Sequence, residues 1–211
     1  MLDTIVSLPM RLKQRVALSV LAALLLFAAT AVWLQFARDD LNWQRATLSL
    51  YLHGPQGMLL RVAFCVLASA IVVLGLALYM DMHGPARRSL PLMLFGAAGL
   101  GLATVAVGDS WLPQYAPLLA PLVHALAAQT AFLCITVAML VQAWCFGRDV
   151  RWRCRRQLAG RWAWLAFAGL WRHVLWRGSP RGLGQKLVIA VVVGWLAWAA
   201  VRLWRDGRSN G

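Results

Sequence analysis

The sequence predicts an all-α membrane protein, namely a bundle of six transmembrane helices. Of the 211 residues, 61% are hydrophobic and only 13% are charged, whereas soluble domains carry about a quarter charged residues. Successive apolar runs approach the roughly 20 residues that a spanning helix needs. We therefore expect a single membrane domain over residues 1–211, with spans at about 16–36, 58–80, 90–108, 118–146, 158–176 and 187–204.

The first two spans carry basic residues near one end. Arg11, Lys13 and Arg15 precede the first apolar run, a pattern that a signal peptide can also show. The run is longer than a usual signal-peptide core and further spans follow it, so we expect an uncleaved helix whose amino end faces inside. In the second span, Arg61 lies one turn from the start, where its side chain can extend to the interface.

The third and fourth spans differ in character. Gly96, Gly99 and Gly101 lie in the third, and Ala97 and Gly101 have the small-xxx-small spacing that allows close helix packing in lipid. The fourth span is predicted because residues 110–147 contain no Asp, Glu, Lys or Arg. A basic loop comes directly after it, and we expect this loop to fix topology and face lipid; its arginines are Arg148, Arg151, Arg153, Arg155 and Arg156.

The fifth segment, residues 158–176, has two readings. Only ten residues between Arg161 and Arg172 are free of charge, so it crosses the membrane only if its arginines reach outward to the headgroups. Alternatively, it lies in the interface as an amphipathic helix rich in Trp and Arg. If the chain crosses the membrane six times, both termini lie in the cytoplasm and the basic 177–186 loop lies outside, against the positive-inside rule. If the fifth segment lies in the interface instead, this loop stays inside and the C-terminal tail faces outward.

The charge distribution indicates a membrane environment more than a nucleic-acid partner. The net charge is +14 and the chain contains no Glu, but the arginines lie at the ends of apolar runs, as in cytoplasmic loops. We expect the lipid bilayer as the main partner, with other membrane proteins possible and nucleic acid excluded. The expected location is the bacterial inner membrane. Twelve tryptophans, several near span ends, fit an interfacial aromatic belt.

Several local patterns, taken in order, resemble a bacterial membrane family known as domain of unknown function 998. The patterns are residues 48–54 (LSLYLHG), 58–64 (MLLRVAF), a glycine-rich third span ending in Asp109, residues 122–128 (LVHALAA), and residues 182–187 (GLGQKL) before a Trp-bearing helix. The resemblance covers about residues 16–205 and implies six helices, which favours the spanning reading of the fifth segment. It departs at Asp109, which follows Val107-Gly108 where the family has a Phe-Pro-type turn. The family brings no established activity.

With six spans, four residues that can carry chemistry fall at the outer face: Asp109, His124, His53 and Tyr51. Asp109 is expected to end the third helix and His124 to begin the fourth, so the two can be neighbours across a short hairpin. Ionisable groups at membrane depth are functional candidates, and a His beside an Asp can relay protons or orient a substrate. The structural alternative is a hydrogen bond that holds the hairpin closed.

Three classes of function follow. The first is a membrane protein with a small-molecule, lipid or proton site near Asp109 and His124, and the second is an accessory or structural subunit of a larger membrane complex. The third is a haem-binding or hydrolytic enzyme, with His124 and His173 as weak haem ligands. A Ser110–His124–Asp109 triad lacks a nucleophile elbow, and a metal at His53, His124 and Asp109 lacks further ligands. We therefore assign no catalytic or metal-binding residue, expect no cofactor, and favour a protein that is not an enzyme.

Overall fold

The computed structural model describes residues 9–176, 178 and 180–206, without the side chains of Asp109 and Ser110. These parts of the chain are helical and contain no β-strand. Short 3-10 turns lie at Leu48–Leu52, Gly84–Ala86 and Arg153–Arg155. The six long helices are α1 (Met10–Ala37), α2 (Gly57–Asp81), α3 (Ser89–Tyr115), α4 (Ala120–Phe146), α5 (Arg156–Leu175) and α6 (Arg181–Asp206).

The helices form a ring in chain order. Each helix packs against the next, and α6 closes the ring by packing against α1. The start of α1, the end of α2 and the end of α6 meet where Ala17, Ala77 and Leu203 pack together. We call this the proximal end of the bundle. The opposite end, which the 38–56 connection crosses, is the distal end.

Five of the described helical segments are long and apolar enough to cross a membrane. They are α1, α2, α4, α6 and the segment Gly84–Gly108, which carries most of α3. The prediction of an all-α bundle of the membrane class is thus confirmed. The prediction of six spans is not, because α5 does not reach this apolarity. Its exposed face carries Arg161 and Arg172, which shorten the charge-free stretch.

The packing of α5 nevertheless follows α6 along its length. Trp195 Nε1 on α6 donates a 3.1 Å hydrogen bond to the Ala159 carbonyl near the start of α5. At the other end of α5, a Cβ added to Gly184 would lie 2.9 Å from His173 Nδ1. From the first contact to the second, the residue number increases along α5, from 159 to 173, and decreases along α6, from 195 to 184. The two helices are therefore antiparallel. The 20 residues of α5 rise about 30 Å.

Glycines in α3 allow close contact with both neighbouring helices. A Cβ added to Gly101 would lie 2.7 Å from the Ala127 carbonyl oxygen and 3.0 Å from the Ala131 amide nitrogen, both in α4. One added to Gly99 would lie 2.9 Å from the Ala68 carbonyl oxygen in α2. Close backbone approach of this kind is what small residues provide in membrane bundles.

The prediction that Asp109 ends the third helix is wrong. Helix α3 continues to Tyr115 and includes Pro113 in its last turns. No residue from Asp109 to Leu112 is a glycine or a proline, and Pro113 is itself accommodated in the last turns of the helix. The connection to α4 is therefore only residues 116–119, and Asp109 lies within a helix.

Candidate functional site

Arg38 fastens the connection between α1 and α2 across the distal end. Its Nε and Nη2 atoms each donate a 2.7 Å hydrogen bond to the carboxylate of Asp40. Its Nη1 atom donates to the carbonyl oxygens of His53 at 2.7 Å and Pro55 at 3.1 Å. The hydrogen bond from Arg38 lowers the pKa of Asp40 and raises the pKa of Arg38 itself. Both ends of this connection are thus held by one guanidinium.

Tyr51 is buried under this connection, between two cations. Its side chain is fully buried, and its hydroxyl has no hydrogen-bond partner within the described part of the chain. Arg38 Cζ lies 5.9 Å from the ring centre and Lys186 Nζ lies 5.1 Å from it. Lys186 in turn donates 2.6 Å hydrogen bonds to Gln35 Oε1 and the Trp43 carbonyl. Burial is the main reason that the pKa of Tyr51 is raised.

His124 borders a cavity of about 90 Å³ in the interior of the ring. Three polar residues lie on its distal side: Ser49, His124 and Gln185. The amide oxygen of Gln185 already accepts a 2.7 Å hydrogen bond from the Leu48 amide. The remaining walls are apolar side chains of α1, α2, α3, α4 and α6, among them Phe27, Phe64, Leu67, Ile71, Leu102 and Ile135.

The size of this cavity limits what it can hold. Pockets for drug-sized ligands measure roughly 300–1,000 Å³, whereas an apolar protein cavity of about 150 Å³ accepts benzene. The cavity beside His124 therefore suits a small apolar molecule or the end of an alkyl chain. Its polar side carries a hydroxyl, an imidazole and an amide group.

The predicted site residues fall into separate environments. Tyr51 and His53 belong to the connection that Arg38 holds, and the His53 side chain is exposed. His124 lies in the second turn of α4 and borders the cavity. The side chain of Asp109 is outside the described residues. Sequence reasoning missed Ser49 and Gln185, although both lie inside the patterns that carry the family resemblance.

The two weak haem ligands do not share a cavity. His173 borders a groove between α5 and α6, together with Leu165, Arg172 and Gly184. None of the residues around this groove borders the His124 cavity. Across the described residues, no group of three or more His, Cys, Asp or Glu side chains is arranged to hold a metal ion.

A second cluster of charges, which the sequence did not predict, lies at the proximal end. The carboxylate of Asp81 is fully buried. Lys13 Nζ donates to its Oδ1 atom, Arg151 Nη1 lies 3.3 Å from the same oxygen, and Trp152 Nε1 donates a 3.1 Å hydrogen bond to Oδ2. The only sequence signal is that Asp81 is the sole acid between Asp40 and Asp109.

Arg151 connects this carboxylate to its surroundings. Its Nη2 atom donates to the Asp81 carbonyl and lies 2.9 Å from His83 Nδ1 and 3.4 Å from Asp149 Oδ2. Burial lowers the pKa of Arg151, but the charges of Asp81 and Asp149 outweigh it and the pKa is raised. The cluster binds the start of α1, the end of α2 and the loop after α4 into one unit.

The arginines of the predicted basic loop therefore have different environments. Arg151 contacts the Asp81 cluster, and the Arg148 guanidinium lies 3.5 Å from the centre of the Trp144 ring, a cation–π contact. Arg153 and Arg156 are exposed and Arg155 is half-buried. Only part of this loop is thus free to face lipid headgroups.

A ring of apolar helices with a charged cluster at one end defines an α-helical membrane protein. The chain belongs to the family described as "Protein of unknown function (DUF998)", whose family model matches residues 20–202. The resemblance predicted from the sequence is thereby confirmed. Neither the curated proteins nor the solved structures gave a match to this chain.

Proposed function

We propose that this protein crosses the bacterial inner membrane six times, with both termini in the cytoplasm. Two features support this topology. Helix α1 begins and helix α6 ends at the proximal end, where the arginines of the loop after α4 also lie. Cytoplasmic segments are enriched in such basic residues. Helix α5 follows α6 in antiparallel packing, with Ala159 and Ala163 buried.

For its function, we propose that it binds the apolar chain of a lipid or a similarly narrow apolar molecule in the distal half of the ring. The observation that carries this proposal is the cavity beside His124, with apolar walls and polar groups on one side only. Because lipid tails are as apolar as the cavity walls, van der Waals packing against those walls would hold the alkyl chain there. Ser49, His124 and Gln185 form the polar side of this proposed site.

Asp109 belongs to this proposed site by its position along α3. The contact of Gly101 with Ala127 and Ala131 fixes the antiparallel register of α3 and α4. In that register, Asp109 is level with the first turn of α4, within about one turn of His124.

Photo-labelling tests the proposal. The protein is reconstituted in lipid nanodiscs with a monoacylglycerol that carries a diazirine near the end of its chain, and labelled residues are mapped by peptide mass spectrometry. We expect labels on inward-facing residues of the cavity: Leu67, Ile71 and Ile135. Labels found only on outward-facing residues such as Leu25 and Val62 would contradict cavity binding.

A matched pair of variants sharpens this test. Ala128 borders the cavity, so Ala128→Phe fills it and should remove the inward labels. Ala125 is an exposed alanine on the same helix, and Ala125→Phe should leave the labels unchanged. Equal labelling in both variants would overturn the proposal.

A further inference from the structure

A groove on the outer surface of the ring adjoins the cavity. It lies between α1 and α6 and has a volume of about 310 Å³. Four of its residues also line the cavity, namely Phe27, Leu48, Ile189 and Val193. Groove and cavity are therefore separated by a wall that is one side chain thick.

Phe27 is the largest side chain in this wall. Phe27 is buried and packs against Phe64 with a distance of 5.7 Å between ring centres. Ile189 and Val193 are half-buried. Ile189 and Val193 are β-branched residues in α6 and are largely fixed in one χ1 rotamer. A change of Phe27 to another staggered rotamer would open the cavity toward the lipid on the α1–α6 side.

A cation marks the distal end of the groove. Lys186 lines it together with Gln35, and its Nζ atom donates hydrogen bonds to two neutral oxygens, Gln35 Oε1 and the Trp43 carbonyl. An ammonium group has three N–H donors. Besides these two bonds, the ammonium group faces the Tyr51 ring at 5.1 Å, and no carboxylate among the described residues pairs with it. Its charge is therefore not neutralised by an acid, and an anionic oxygen at this point would pair with it.

The groove below this cation is apolar. On the α6 side, the groove extends from Lys186 to Val193, a distance of seven residues or about 10 Å. On the α1 side, it extends from Gln35 to Phe27. The side chains between are Ala28, Ala31, Val32, Leu187 and Ala190. A positive charge above a narrow apolar channel is complementary to a lipid with a negatively charged phosphate head and an apolar chain.

We propose that a phosphate-headed lipid of the outer leaflet enters the protein sideways between α1 and α6. Its phosphate pairs with Lys186, one acyl chain lies along the groove, and the end of that chain passes Phe27 into the cavity. This inference rests on the proposed function, because the cavity must accept an alkyl chain. It adds the class of the ligand and the path of entry.

Lipid titration followed by native mass spectrometry tests the head group. The full chain in non-ionic detergent is titrated with dioleoyl phosphatidylglycerol and, separately, with the neutral lipid dioleoylglycerol. We expect tighter binding of the phosphate-headed lipid, and Lys186→Gln should weaken it roughly tenfold, as for one lost charge-assisted hydrogen bond. Lys186→Arg keeps the charge and should keep most of the affinity. Arg45→Gln, which removes an exposed charge at the same end, is the matched control.

Blocking the groove tests the path. Ala190 is exposed and lines the groove, so Ala190→Trp should abolish cavity labelling by a phosphatidylglycerol that carries a chain-end diazirine. Ala168→Trp places the same side chain on the exposed face of α5 and should change nothing. Thermal unfolding of each variant verifies that it folds.

The outcomes separate this inference from the proposed function. Equal affinity for the two lipids, or equal effects of Lys186→Gln and Arg45→Gln, would overturn the phosphate-headed ligand. Unchanged cavity labelling in Ala190→Trp would overturn the path. Labelling of the cavity by the monoacylglycerol probe would support the proposed function in either case, whereas its absence would remove both.

Discussion

The indole nitrogen of Trp152 donates a 3.1 Å hydrogen bond to the buried carboxylate of Asp81, and this bond joins the loop after α4 to the end of α2. The Trp152 ring is stacked on Phe146, with 4.3 Å between ring centres and an angle of 11°. The loop is thereby held by an aromatic stack on one side and by a carboxylate on the other. The carboxylate in turn receives Lys13 from α1.

Removing the charge of Asp81 should therefore destabilise the bundle strongly. Asp81→Asn leaves Lys13 and Arg151 facing a neutral amide, and breaking a buried ion pair in this way costs about 3–5 kcal/mol. Reversible unfolding of the detergent-solubilised protein measures the change.

Two further variants give the comparison. Trp152→Phe keeps the stack on Phe146 and removes one hydrogen bond to a charged group, so its cost should be smaller, about 1.5–3 kcal/mol. Asp39→Asn changes an exposed acid and should have no measurable effect. A stability of Asp81→Asn equal to that of Asp39→Asn would show that the cluster does not hold the proximal end together.

Substitution by alanine should change the stability in opposite directions at Gly101 and at Gly96. At Gly101 the added Cβ would meet backbone atoms of Ala127 and Ala131 at 2.7 and 3.0 Å, so α3 and α4 must separate and stability should fall. At Gly96 no atom of a neighbouring helix lies within 4 Å of the added Cβ. Gly96→Ala should be neutral or stabilising by up to about 1 kcal/mol, since alanine is the better helix former. Equal effects in unfolding experiments would contradict the packing role of Gly101.

The features predicted correctly from the sequence are those that depend on local patterns. Apolar runs predict helices because every backbone group must be paired in lipid, and the spacing of Ala97 and Gly101 predicts close packing. Contacts between distant segments have no such local signal. The pairing of Lys13 with Asp81, 68 residues apart, depends on the closure of the ring, and so does the position of Gln185 beside Leu48. Asp109 was misplaced because an acid in an apolar run suggests a boundary, whereas the helix continues through Asp109 and Pro113 to Tyr115.

Tyr51→Phe should leave the protein as stable as the wild type or more stable. The Tyr51 hydroxyl is buried without a hydrogen-bond partner in the described residues, and an unsatisfied buried polar group costs about 1–3 kcal/mol. The phenyl ring retains its contacts with Arg38 and Lys186. Tyr115→Phe, at an exposed position, is the control and should have no effect. Should Tyr51→Phe destabilise the protein, the hydroxyl has a partner that stabilises the folded chain.

The Arg38–Asp40 pair should make the distal connection sensitive to acid. The pKa of Asp40 in the folded protein lies below its ordinary value of 3.8, chiefly through the hydrogen bond from Arg38. A lowered carboxyl pKa contributes stability above the ordinary value and loses it as the pH falls through the folded value. The difference in melting temperature between wild type and Asp40→Asn should therefore be present at pH 6 and shrink progressively as the pH falls below 3.8. A difference that does not change with pH would contradict the pairing.

Accessibility of single cysteines should decide the topology of α5. Cys154 is exposed in the loop at the proximal end, so a membrane-impermeant maleimide should label it in inverted membrane vesicles and not in intact cells. Gly178 is exposed after α5. In a Cys154→Ser background, Gly178→Cys should show the opposite pattern, labelling in intact cells, because a spanning α5 carries the chain to the outer face.

The remaining natural cysteines, Cys65, Cys134 and Cys145, lie within α2 and α4, and a Cys154→Ser protein without the new cysteine measures their background. Labelling of Gly178→Cys only in inverted vesicles would place α5 in the inner interface and leave five spans.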